Sequence, residues 1–274
     1  MFRFRLILLI LIVAGIGVRF AVAAPAATPS SLEREQSAVN ALLHFDYTAR
    51  RWIGDYHGQY INITDGWRSV TDAPAHAVHT LWLFGSSTIR DMQVPDSLTK
   101  ASYLQRDLNA YGYSLRVVNR GDDGVGVADS LLYLKEAAIK PGDLVVFYGG
   151  GHDPLIYGAT MAQMAIVAKS DGAAFYAFLE AQIWSAPLSS AEASLLASLS
   201  YETPAAQADI MHRWTLLQPA ARQLATHSIA SYDLTHALDA ARASGVVVYV
   251  DHIHMNEFGN AIIARAIADA ITVF

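Results

Sequence analysis

Leu81-Trp82-Leu83-Phe84-Gly85-Ser86-Ser87-Thr88 is the stretch on which the fold turns. Consecutive apolar residues end in a glycine and two serines, and a helical pattern follows over Leu98–Tyr111. A short, continuous apolar run closed by a turn is the mark of a strand buried on both faces. The unit, with its strand starting at His79, then recurs. Leu115–Asn119 predicts a second strand, ending in Gly121-Asp122-Asp123-Gly124, with a helix over Val127–Ile139. Asp143–Tyr148 predicts a third, ending in Gly149-Gly150-Gly151-His152-Asp153, with a helix over Met161–Lys169. Ala174–Gln182 and the short Ser228–Tyr232 supply strands four and five. Between them Ser189–Leu224 is mostly helical, broken around Thr203-Pro204. Val246–Val250 reads as one more apolar strand piece and Glu257–Ile271 as a terminal helix. Strands alternating with helices imply an α/β fold, a mainly parallel sheet covered on both faces. Ligands of such sheets bind beyond the strand C-termini, where each glycine-rich turn falls.

Outward from this core, Tyr60–Thr64 alternates like a short strand and runs into the turn Asp65-Gly66, and Leu32–Leu43 can form a helix. Ala24–Ser31, rich in Ala, Pro and Ser, reads as a linker. At the N-terminus a basic start, Met1-Phe2-Arg3-Phe4-Arg5, precedes the apolar run Leu6–Val18 and the small residues Ala21-Val22-Ala23-Ala24. That order is an export signal, cleaved after Ala23 or Ala24 or kept as a membrane anchor. The expected division is therefore 1–24 signal or anchor, 25–77 linker and extension packing on the core, and 78–274 the main domain. The expected location is periplasmic or secreted, with membrane contact only through the N-terminal segment.

The 274 residues suffice for one large domain, and 53% hydrophobic content excludes a disordered chain. A net charge of −6 argues against a nucleic-acid partner, which would call for a basic face. With no cysteine, disulfides, thiolate catalysis and cysteine-ligated metals are excluded.

The chemistry-bearing residues lie on the same turns. Asp251-His252-Ile253-His254 places an Asp and a His three residues apart between an apolar strand and a helix. The Asp can hold one imidazole nitrogen while the other faces a nucleophile. Ser87, on a glycine turn before a helix, can supply that nucleophile, with Ser86 as the alternative. Taken alone, Ser87 reads first as a helix cap. Asp251, His252 and His254 could instead hold a metal, but three residues of one short turn rarely converge as ligands. Three glycines at 149–151 allow very close approach of backbone or ligand. Beside them, His152 could donate an N–H to developing negative charge, and reads equally as a satisfied turn histidine.

In this order (Ser, Gly, oxyanion donor, Asp-x-x-His) the turns resemble the four blocks of the SGNH (GDSL-type) hydrolase family, over roughly Val78 to the end. Gly85-Ser86-Ser87 is similar to its first block, Gly124, five residues after Asn119, to its second, Gly151-His152-Asp153 to its Gly-Asn-Asp block and Asp251-x-x-His254 to its last. Ser86 stands in place of the family's Asp and His152 in place of its Asn. The resemblance implies a flavodoxin-like three-layer α/β/α sandwich with five strands. It also implies a catalytic set of Ser87, His254 and Asp251, with an oxyanion hole from the Ser87 and Gly124 N–H groups and the His152 side chain, and no cofactor or metal. Tyr60–Arg68, Phe178–Gln182 and Asp251–Asn260 are further similar to exported members encoded with bacterial polysaccharide machinery. That likeness implies an esterase removing acetyl groups from a carbohydrate, with that machinery as a partner. An O-acyltransferase is the alternative, and His152 motivates a third reading, a non-catalytic carbohydrate-binding or assembly component.

Overall fold

The computed structural model describes residues 30–150 and 153–271; the predicted signal or anchor over 1–24 lies outside them. Among the described residues no helix is long and apolar enough to cross a membrane.

The chain enters through helix α1 (Ser31–Leu42), capped by Ser30, whose hydroxyl accepts the Glu33 N–H while Glu33 reaches back. Two small antiparallel units follow, β1 (His44–Asp46) with β2 (Arg51–Ile53), and β3 (Tyr56–His57), β4 (Asn62–Thr64) and β5 (Trp67–Arg68). The main domain then runs β6 (His79–Gly85), α2 (Ser87–Arg90), α3 (Lys100–Ala110), β7 (Leu115–Gly121), α4 (Val127–Glu136), β8 (Leu144–Gly149), α5 (Tyr157–Ser170) and β9 (Ala174–Leu179). It ends with α6 (Ser190–Ser198), α7 (Pro204–Thr226), β10 (Ala230–Asp233), α8 (Asp239–Ala243) and α9 (Glu257–Ile271).

The five long strands form one sheet in the order β7-β6-β8-β9-β10, every pair parallel. Side chains of a strand alternate between faces, so the apolar run of β6 feeds two cores. Leu81 and Leu83 meet Leu104 and Leu108 of α3 and Ile263 and Ile267 of α9. Trp82 and Phe84 meet Leu134 of α4, Met161 and Met164 of α5 and Leu217 of α7. The result is the expected α/β/α sandwich. Its strand order reverses at β6, between β7 and β8. In this topology the reversal opens a crevice beyond the strand C-termini.

The predicted strand at Val246–Val250 does not join the sheet; only a bridge between Tyr249 and Met255 forms there. The apolar pattern has another cause. Val248 and Tyr249 are buried in the α3–α9 core, and Gly259 of α9 lies so close that a Cβ would sit 2.7 Å from the Val248 carbonyl oxygen. This segment is a packed lead-in to the Asp251–His254 turn.

The N-terminal units lie against the β7 side of the domain. Their small core of Val39, Leu43, Ile61 and Ile63 is completed by Met92 of the main domain. Arg68 is buried on Asp96 at 2.9 Å, and the Trp52 N–H donates to Asp122.

Candidate active site

Gly85 ends β6 between Gly121 of β7 and Tyr148 of β8. A Cβ at Gly85 would lie 2.4 Å from the Tyr148 carbonyl oxygen, so only glycine lets the strands close here. Two residues on, Ser87 is the first residue of α2. Its N–H is thus one of the donors that a helix start leaves without an intrahelical acceptor.

The Asp251–His254 turn reaches Ser87 across the strand ends. His254 Nε2 lies 2.8 Å from Ser87 Oγ, and Nδ1 lies 2.7 Å from Asp251 Oδ2. The other carboxylate oxygen of Asp251 accepts the N–H groups of Ile253 (2.8 Å) and His254 (2.7 Å), which locks the turn. With the Nδ1 proton given to Asp251, Nε2 is left to accept the Ser87 hydroxyl proton. Burial alone would lower the His254 pKa, but the hydrogen bond and charge of Asp251 outweigh it and hold it above 6.5. Burial would raise Asp251; its bonds to the His254 ring and to the two backbone N–H groups hold it below 3.8.

Of the residues expected to receive an oxyanion, Ser87 is placed as described. Gly124 sits on an exposed turn at φ 71°, and its N–H donates to no described residue. His152 and Gly151 lie outside the described residues. The backbone leading to them has Gly149 at φ 156° and Gly150 at φ 145°, values that L side chains rarely adopt. Asp153 ties the second and third turns together: its carboxylate accepts the Val127 N–H at 3.2 Å and leaves no room for a Cβ at Gly126.

Two solved structures share this architecture. One is a member of the lipolytic protein G-D-S-L family from Veillonella parvula DSM 2008, 20% identical, TM-score 0.52, covering 72% of this chain and 100% of that one. The other is TesA, 20% identical, TM-score 0.52, covering 71% of this chain and 98% of that one. The chain has the SGNH hydrolase fold. No protein-family model matches the sequence, and no curated protein does.

Within this SGNH fold the remaining candidates separate cleanly. Ser86, the alternative nucleophile, is buried with its hydroxyl 3.5 Å from that of Thr88, and it lines a narrow cleft with Gly126, Ser130, Phe147 and Gly150. His252, next to the Asp251 carboxylate in sequence, pairs with Glu202 and stacks on Trp184, ring centroids 5.6 Å apart. The described residues contain no group of three or more His, Cys, Asp or Glu able to hold a metal. Trp67 and Arg68 are packing residues: Trp67 lies under the Arg120 guanidinium at 4.5 Å, and Arg68 is buried on Asp96.

Arg90 and Asp91, which follow the nucleophile turn, are both buried, Arg90 against Asp122 and Asp91 against Lys100. The SGNH turn therefore stands on ion pairs that composition cannot reveal. Asn119 reinforces it, donating to the Ile89 carbonyl at 2.8 Å and accepting the Gly121 N–H at 2.9 Å. Sequence reasoning missed Lys100, Asn260 and Glu202. A lysine opening an amphipathic helix carries no mark that distinguishes it from a surface lysine.

Proposed function

We propose that this chain is a serine ester hydrolase working through Ser87, His254 and Asp251. The observation that carries the reading is the continuous hydrogen-bonded chain Ser87–His254–Asp251 at the strand C-termini. Ser87 Oγ attacks the ester carbonyl as its proton passes to His254 Nε2. The tetrahedral intermediate collapses, and His254 returns the proton to the departing alcohol. Water then repeats the sequence on the acyl-enzyme, releasing the acid and restoring Ser87. Asp251 holds the tautomer and stabilises the imidazolium. The Ser87 N–H, the Gly124 N–H and the His152 side chain receive the oxyanion; losing one such donor costs about 3 kcal/mol of barrier.

The substrate we assign is an acetylated carbohydrate outside the cytoplasm, from the export-type N-terminus and the likeness of 60–68, 178–182 and 251–260 to exported members. A sugar hydroxyl replacing water in the second half-reaction would make the same residues an O-acyltransferase. Incubation with acetylated oligosaccharides decides between them. The hydrolase releases acetate at a rate lost in Ser87→Ala, whereas transfer of acetyl to an added sugar without acetate release favours the transferase. Neither product, with p-nitrophenyl acetate also untouched, would sink both.

A further inference from the structure

A cation that the proposed mechanism does not use lies beneath the nucleophile turn. Lys100, first residue of α3, has a side chain fully shielded from solvent. An ammonium there needs every donor met inside the protein. Its Nζ donates to the Thr88 carbonyl at 2.8 Å, to Asp91 Oδ1 at 2.7 Å and to Asn260 Oδ1 at 2.6 Å. Each partner comes from a part of the site. Thr88 follows Ser87 in α2. Asp91 caps α2 in the left-handed conformation, φ 53°, and its second oxygen accepts the Lys100 N–H at 2.7 Å. Asn260 belongs to α9, the helix entered from His254, and also donates to the Leu98 carbonyl at 3.1 Å. One ammonium thus joins the helix carrying Ser87 to the helix that anchors His254.

We propose that Lys100 is a positioning residue, setting the Ser87–His254 distance by bridging Thr88 and Asn260. The proposal rests on the esterase reading of that pair. A stability role alone does not require this arrangement, because a buried ion pair replaced by well-packed neutral groups is often no less stable. The bridge also reaches His254 electrostatically. The charge of Lys100 opposes protonation of the ring and that of Asp91 favours it, on top of the direct pairing with Asp251. In the adjoining turn, His252 and Glu202 pair with each other.

The test is the double variant Lys100→Met/Asp91→Asn. It leaves no buried charge without a partner, and Asn tolerates the left-handed conformation at 91. The expected result is a cooperative melting transition lowered by about 5 °C, because the Thr88 carbonyl and Asn260 Oδ1 lose their donor, an unchanged KM and a kcat on p-nitrophenyl acetate lower by about 100-fold well below that transition, the scale of a misplacement of about 1 Å. A double variant with the parent's kcat, or a rate loss accounted for by a lowered melting temperature, overturns the proposal. Nitrogen NMR of the His254 ring supplies a readout that needs no turnover. The Nε2 resonance should move toward that of an imidazole lacking the Ser87 hydrogen bond, and an unmoved resonance contradicts the bridge. Should the parent itself hydrolyse no ester, the esterase reading fails, while the resonance still judges the positioning role.

Discussion

His254 is the residue on which the proposed chemistry depends, because its ring must be neutral to take the Ser87 proton. Its pKa lies above 6.5, the hydrogen bond and charge of Asp251 outweighing burial. kcat/KM should therefore rise with pH through a limb that sits above about 6.5. Asp251→Asn removes the interaction that raises this pKa, so the limb should move down even as kcat falls by about ten-thousand-fold through loss of the correct tautomer. A pH–rate profile of both proteins checks the sign; a limb that stays put or climbs in Asp251→Asn contradicts the assignment. The pair itself was legible in the sequence, since a spacing of three on a turn can bring only certain side chains together. So was Ser87, once the order of turns was considered. Arg90, Asp91 and Lys100 were not. A charge looks the same in the sequence whether solvent or a counter-ion meets it, and their partners Asp122 and Asn260 lie far along the chain.

At the scale of elements, the nucleophile turn works because β6 ends tightly against its neighbours. A methyl at residue 85 would press on the Tyr148 carbonyl at 2.4 Å and on Ile89 at 2.6 Å. Gly85→Ala should destabilise the fold by about 1–3 kcal/mol through overpacking and weaken the Ser87–His254 contact with it. Urea denaturation measures the first effect, and an unchanged midpoint would contradict the crowding argument. Strands buried on both faces were readable as apolar runs, and the helices followed from their glycine and proline boundaries. Val246–Val250 misled because a coil packed on a helix needs the same apolar residues as a strand. Only its partner, Gly259 beneath the Val248 carbonyl, distinguishes the two.

At the scale of the whole molecule, one parallel sheet sends three turns to a common edge, and the Asp251–His254 turn closes over them. Alternation of strands and helices made the common edge inferable from the sequence, whereas the strand order, which reverses at β6 and opens a crevice beside Gly85, is visible only in the fold. The attachment of the N-terminal units was less legible, since it rests on Arg68 with Asp96 and on Trp67 with Arg120, pairs that no local pattern announces. The central claim, that the folded chain presents one activated serine, is tested most directly by intact-protein mass spectrometry after exposure to a serine-directed phosphonate. The account predicts a single adduct, mapped to Ser87 and absent from Ser87→Ala. No adduct on the parent, or an adduct that survives in Ser87→Ala, would contradict it.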